Sequence, residues 1–296
     1  MVPGVAQAQA QAQGQAEALA PAIAGTQDRY FVTSDGARLH YLESGPELAQ
    51  TIVLVPGWAM PAWIFAPQIR AFSRKYHVIA FDPRGQGSSD IPANGYNQVR
   101  RGEDIGALLD RLGPRPVVIL GWSLGVLDTL AYIHLNGDQR IAGLVLVDNS
   151  VGENPAPTPH PYRPGPVISH AAYMRAFVAG MFLTRQSPDY LRRLTAATLR
   201  LPAADARALL EYPVPRSYWR QAIYSTGRPV LYVVRPHLAG QADNLLADRP
   251  NTQIAIYPDV GHALFVDAAP RFNTLVARFL LTVWPPVWPP GAGPAQ

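Results

Sequence analysis

Residues 119–126 read Ile119-Leu120-Gly121-Trp122-Ser123-Leu124-Gly125-Val126. They follow an apolar, β-rich run (116–120) and lead into a stretch of helical character (126–135). A strand that turns directly into a helix lifts the residue at the turn clear of the backbone. It also points the free N–H groups of the helix N-terminus at whatever that residue approaches. Side chains at 121 and 125 would collide in so tight a turn, and glycine occupies both positions. The pentapeptide alone recurs by chance. Between a strand and a helix it is specific, and it makes Ser123 a candidate nucleophile.

A serine hydroxyl attacks only when a base takes its proton, a third group orients that base, and N–H donors receive the oxyanion. The chain has seven histidines. His40, His77 and His134 fall within or beside expected regular elements, His160 and His170 in a Pro-rich middle section, and His237 in a loop. His262 follows an apolar run (253–257) and the turn Pro258-Asp259-Val260-Gly261. That puts it on the loop past the last expected strand, where a ring can reach the serine; the plainer alternative is a surface histidine in a turn. The residue after a nucleophile at this turn, Leu124, offers one backbone N–H for the oxyanion. The second is expected from Pro56-Gly57-Trp58-Ala59-Met60, directly after the β run 51–55, with the N–H of Trp58 as donor.

Periodicity gives the organisation. Residues 30–33 and 38–43 alternate around Ser34-Asp35-Gly36, a hairpin signal. Strands are expected at 51–55, 77–81, 116–120, 141–147, 230–234 and 253–257, with helices at 63–75, 97–112, 126–135 and 239–247. Alternating strands and helices imply a mostly parallel sheet with helices on both faces. Such sheets bind ligands at the carboxyl ends of their strands, where Trp58, Ser123 and Asp148 all fall. The rhythm stops at 151–166, a stretch rich in Pro, and resumes at 229–230. Between lie helical patterns at 169–182, 188–201, 203–211 and 217–225. Residues 151–228 are therefore expected to form a helical cap, or lid, inserted in a core made of 27–150 and 229–284. Candidate pocket walls are Trp122 and Trp58 and, from the cap, Tyr173, Met174, Phe177 and Met181; packing between cap helices is the alternative for each of the latter.

Taken together, these pieces resemble an α/β-hydrolase-fold serine hydrolase of the esterase and lipase kind. The resemblance is carried by Pro56-Gly57-Trp58, Asp82-Pro83-Arg84-Gly85-Gln86-Gly87-Ser88-Ser89-Asp90, the Gly121–Gly125 pentapeptide, Leu144-Val145-Leu146-Val147-Asp148 and Gly261-His262, in the family's order. It implies an eight-stranded, mostly parallel sheet, Ser123 as nucleophile, His262 as base, and Trp58 and Leu124 as oxyanion donors. Many relatives carry His where this chain has Pro56, which leaves the Trp58 donor in place. Segment 82–90 is read as a structural turn. A Ser rather than an Asp at position 123 argues against dehalogenase or epoxide-hydrolase chemistry.

The sequence leaves the orienting acid open. The family usually places it after the seventh strand, but here Arg235-Pro236-His237 follows 230–234, and the first carboxylate, Asp243, falls inside an expected helix. A subset of the family places it after the sixth strand, where Asp148 stands. Asp148 is the preferred acid and Asp243 the alternative, with Asp259, or no effective acid at all, behind them.

The chain has 296 residues, 48% hydrophobic, which suffices for one large α/β domain with an insertion. Net charge is +4, without a dense basic run, so no nucleic-acid partner is expected. Cysteine is absent, which excludes disulfides and a thiol nucleophile. No phosphate loop or metal-ligand spacing appears, so no cofactor or metal is expected. No apolar run approaches the roughly 20 residues of a membrane span. Residues 1–26 are Ala/Gln-rich and expected to be disordered. They are not an intact signal peptide, and a processed export remnant stays open. Residues 285–296 read as a Pro/Gly-rich tail. The expected partner is a small-molecule ester, cleaved through an acyl-enzyme. Carbon–carbon bond hydrolysis or cofactor-free peracid formation (a perhydrolase) by the same residues is the alternative. A non-catalytic binding protein that kept the fold is the reading from another class. Oligomeric state is not encoded in any of these features.

Overall fold

The computed structural model describes residues 21–157 and 168–285. Its strands are β1 (Thr26–Val32), β2 (Arg38–Ser44), β3 (Thr51–Val55), β4 (His77–Asp82), β5 (Val117–Trp122), β6 (Ile141–Val147), β7 (Val230–Val234) and β8 (Thr252–Ile256). They form one sheet in the order β1-β2-β4-β3-β5-β6-β7-β8. The β1/β2 and β2/β4 pairs are antiparallel and every later pair is parallel. The fold is thus the expected α/β-hydrolase architecture, an eight-stranded, mostly parallel sheet.

The helices are α1 (Ala66–Phe72), α2 (Gln98–Arg111), α3 (Leu124–Asn136), α4 (His170–Gly180), α5 (Pro188–Thr198), α6 (Ala203–Ala208), α7 (Arg216–Ser225), α8 (Ala239–Asp248), α9 (Leu264–Asp267) and α10 (Ala269–Val283). Helices cover both faces of the sheet, so the inner strands are apolar on both sides. Alternate residues of β3 divide accordingly: Val53 and Val55 pack into one layer with Leu108 and Leu130, and Ile52 and Leu54 into the other with Phe72 and Phe279. Helix α2 starts where Asn97 accepts from Arg100 N at 3.0 Å, and α4 and α5 start at Ser169 and Ser187 in the same way.

Several boundaries differ from the sequence expectation. The helix expected over 63–75 is a 3-10 turn, Ala62–Phe65, followed by α1. Pro67 has no N–H to give to Trp63 O, so an α-helix cannot run through that point. Most of the segment expected to be disordered, residues 1–20, lies outside the described residues, as do 158–167, which include His160, and 286–296. The end of that segment is ordered: Ile23 is buried and β1 already begins at Thr26. Between β6 and β7 the described residues carry α4 to α7. Helix α4 contributes Met174 to one core layer and Val178 to the other, and α7 buries Trp219, Ala222 and Ile223. Arg84 is fully buried and forks onto Asp104 at 2.6 and 2.7 Å, which fits the structural reading of its turn. No helix among the described residues is long and apolar enough to cross a membrane.

Candidate active site

Parallel register brings the site together. Trp122 of β5 pairs with Val147 of β6, and Val147 with Val233 of β7. Ser123 and Asp148 are therefore the first residues beyond neighbouring strand ends. Ser123 N donates to Val147 O and Asp148 N to Val233 O, both at 2.9 Å. The turn at Ser123 has φ 53° and ψ −122°. A Cβ on Gly121 would stand 2.5 Å from Gly125 O, and one on Gly125 2.3 Å from Val55 O, so both glycines are required by backbone contact. Ala59, Ser123 and Asp148 are the non-glycine residues with positive φ among the described residues. Such strain costs on the order of 1–3 kcal/mol per residue and persists only where surrounding contacts enforce it.

His262 lies between the other two expected residues. Its Nε2 is 2.9 Å from Ser123 Oγ and its Nδ1 is 2.6 Å from Asp148 Oδ2. An ionised carboxylate only accepts, so Nδ1 carries the proton and Nε2 offers its lone pair to the serine. The Asp148 side chain is fully shielded from solvent. Burial works to raise its pKa, but the hydrogen bond from His262, the charge its ring takes when protonated, and the adjacent Arg235 guanidinium outweigh it and hold the carboxyl below its ordinary value. Arg235 donates through its backbone N to Oδ1 at 3.1 Å and through Nε to Oδ2 at 2.7 Å. Its Nη2 stands 3.5 Å from His262 Nδ1; both nitrogens carry hydrogens, so that approach is a contact between donors.

The loop after β3 presses against the serine. A Cβ on Gly57 would lie 2.9 Å from Ser123 Cβ and 3.4 Å from Ser123 Oγ. Leu124 opens α3, so its N–H has no acceptor within the helix. Among the described residues no protein group accepts from the Trp58 amide.

Other expected residues fall differently. Asp243 is exposed on α8, whose inward positions are Gln241, Ala242 and Leu245, and the ring nitrogens of His262 are taken by Asp148 and Ser123 instead. Asp259 is exposed as well. Trp122, expected as a pocket wall, is 1% exposed: its ring packs on Phe265 beneath His262 and its Nε1 donates to His262 O at 2.9 Å. Its indole supports the histidine loop and leaves no face for a ligand. Met174 and Met181 are equally buried and present no surface to a void. Tyr173 and Phe177 both set their rings edge-on to Trp58, at 6.4 and 5.0 Å between centroids. A cavity of about 370 Å³ opens there, with Trp58, Tyr173, Ala206 and Leu210 among its walls.

Two contributors were not anticipated. Arg235 stands at the strand end where the family's acid is usual, and its opposite charge hid its part. Asp267 accepts from Gly261 N and Leu183 N, both at 2.7 Å, and from Thr184 N at 3.1 Å. It thereby ties the His262 loop to the chain after α4. The i+5 spacing from His262 carried no motif.

Comparison with known proteins agrees with the fold. A family profile described as alpha/beta hydrolase fold matches residues 50–235. A non-heme chloroperoxidase of Streptomyces lividans is 35% identical over 116 residues, 39% of this chain and 42% of that one. The match thus spans less than half the length of that relative. Among solved structures, an esterase from Rhodococcus sp. ECU1013 superposes with a TM-score of 0.73 at 22% identity, over 86% of this chain and 99% of that one. A carboxylesterase from Bacillus subtilis superposes with a TM-score of 0.71 at 21% identity, over 93% and 98%. At these identities the two structures speak for the fold.

Proposed function

The chain belongs to the alpha/beta hydrolase fold family, and from that premise we propose that it is a serine hydrolase of carboxylic esters, with Ser123, His262 and Asp148 as its triad. The observation that carries this reading is the unbroken relay from Ser123 Oγ to His262 Nε2 (2.9 Å) and from His262 Nδ1 to Asp148 Oδ2 (2.6 Å). Ser123 Oγ attacks the ester carbonyl as His262 Nε2 takes its proton. Asp148 holds the ring in the required tautomer and stabilises the imidazolium. The N–H groups of Trp58 and Leu124 receive the oxyanion. His262 then protonates the leaving alcohol, and water releases the acid from the acyl-enzyme by the same route. Helices α4 to α7 act as the cap, and the cavity beside Trp58, walled by Tyr173, receives an apolar part of the substrate.

A p-nitrophenyl ester series from acetate to palmitate, run beside Ser123→Ala, tests the reading. Serine-dependent turnover is expected, with a chain-length optimum that sizes the pocket. Activity retained in Ser123→Ala overturns it. Failure of a fluorophosphonate probe to label Ser123 in folded protein turns the weight to a binding role. A likeness to a bifunctional esterase/perhydrolase of Acinetobacter calcoaceticus, 28% identical over 119 residues, favours one second reading, in which hydrogen peroxide replaces water on the same acyl-enzyme and a peracid leaves. Peroxide-dependent peracid formation from acetate distinguishes the two.

A further inference from the structure

Gln86 sits in the 82–90 turn, which the relay does not use. Its side chain is 1% exposed and both ends of its amide are directed at the loop beside Ser123. Nε2 donates to Gly57 O at 3.0 Å and to Met60 O at 2.8 Å, and Oε1 accepts from Ala59 N at 3.2 Å. Oε1 also accepts from Arg101 Nη1 at 3.0 Å. Arg101 in turn grips Asp128 Oδ2 through Nε at 2.8 Å and Nη2 at 2.5 Å. Arg101 and Asp128 are 2% and 1% exposed. Asp128 lies one turn into α3, the helix that starts at Leu124.

The Gly57 carbonyl and the Trp58 N–H belong to one peptide unit. In a trans peptide they are fixed in one plane and point in opposite directions. Gly57 O accepts from Gln86 Nε2 and, at 3.2 Å, from Met60 N within the loop itself, so these two donors together set the direction of Trp58 N–H. The loop needs holding, because Ala59 has φ 57°, a region that alanine seldom adopts.

We propose that Gln86 is the positioning residue for the Trp58 amide: by holding the Gly57 carbonyl it aims that N–H at the oxyanion, and through Arg101 and Asp128 it ties the aimed peptide to the helix carrying Leu124. The inference rests on reading Trp58 and Leu124 as the oxyanion donors. Gln86 touches no reacting atom. It fixes the buried peptide as a preorganised dipole, which is where most oxyanion stabilisation arises.

The test compares Gln86→Met and Gln86→Glu with wild type. The Met variant removes every hydrogen bond at similar volume. The Glu variant keeps the acceptors for Ala59 N and Arg101 but cannot donate to Gly57 O. Three quantities are read: kcat and KM on a p-nitrophenyl ester, affinity for a trifluoromethyl ketone that forms a tetrahedral adduct on Ser123, and hydrogen exchange over residues 57–60. Losing one oxyanion donor lowers kcat about 10²- to 10³-fold, so a fall of that order is expected in both variants, with KM within about threefold of wild type. Ketone affinity should fall in parallel and exchange over the loop should quicken. A merely structural glutamine would lower the melting temperature and leave kcat of the folded fraction alone. Folded variants with kcat and ketone affinity within about threefold of wild type overturn the proposal. If the Met variant does not fold, the Glu variant decides by the same criteria. A wild type that neither turns over esters nor traps the ketone overturns the esterase reading itself, and this inference with it.

Discussion

Arg235 Nε lies 2.7 Å from Oδ2 of Asp148, the same oxygen that accepts from His262 Nδ1 at 2.6 Å. One carboxylate oxygen is thus shared between the imidazole ring and a guanidinium on the next strand end. Charge-assisted bonds of this kind are short and directional, and the Arg235 backbone N–H pins the other oxygen. The guanidinium therefore fixes the plane in which Asp148 meets the ring. Arg235→Met should lower kcat about tenfold with little change in KM, because the loosened carboxylate misplaces the imidazole. Arg235→Lys, which keeps the charge but not the planar guanidinium, should restore part of the loss. Equal kcat in Arg235→Met and wild type refutes this role.

Asp148 should carry the orienting function and Asp243 none. An orienting aspartate is worth about 10⁴ in kcat in well-studied serine enzymes, so Asp148→Asn should approach that loss. Asp243, exposed on α8, should tolerate Asn within about twofold, as surface changes remote from a site usually do. Steady-state kinetics of the two variants on one ester settles the comparison, and the reverse ranking refutes it.

Much of this arrangement was legible in the chain because it rests on local demands. A serine flanked by Gly121 and Gly125 between a strand and a helix can adopt few backbone conformations, and the observed φ of 53° at Ser123 is among them. Asp148 could be read from its place after an apolar strand, since parallel register aligns it with Ser123. Direction of side chains was not legible. Trp122 precedes the serine and was expected to face a ligand, yet alternation along β5 sends its indole under His262. Arg235, Asp267 and Gln86 act across large sequence separations through single polar contacts, and no local pattern announces such contacts.

His40 provides a pH-dependent contribution to stability away from the relay. Its Nδ1 is 2.7 Å from Asp82 Oδ2 and its Nε2 3.0 Å from Asp28 Oδ1. Burial pulls its pKa down, but the two carboxylates outweigh this and push it up from 6.5 to about 9. A folded pKa above the unfolded one means stabilisation that is complete below about pH 6.5 and lost as pH rises through about 9. Asp28 is largely exposed, so the effect is on the order of 2 kcal/mol rather than the full shift. The stability gap between wild type and His40→Gln, from urea unfolding, should be widest near pH 6 and mostly gone by about pH 9.5. An unchanged gap across that range refutes the assignment.

Asp267 should couple the His262 loop to the helices between β6 and β7. It accepts from Gly261 N and Leu183 N at 2.7 Å, and from Thr184 N and Oγ1 at 3.1 and 2.5 Å. Ala263 N donates to Met181 O at 2.9 Å beside it, so the histidine is bracketed by bonds to the chain after α4. A Cβ on Gly261 would come within 2.3 Å of Met181 O, which shows how closely the two segments are pressed together. Asp267→Ala leaves three backbone amides without their acceptor, but water can reach this partly exposed site, so the stability loss should be about 1–2 kcal/mol. The effect on turnover should be larger in proportion. A histidine displaced by even 1 Å loses alignment with Ser123, so kcat should fall roughly 10- to 100-fold while KM changes little. Thermal unfolding and steady-state kinetics on the same preparation separate the two effects. A variant that loses stability but keeps full kcat would reduce Asp267 to a structural tie and leave Trp122 as the main support of the histidine loop.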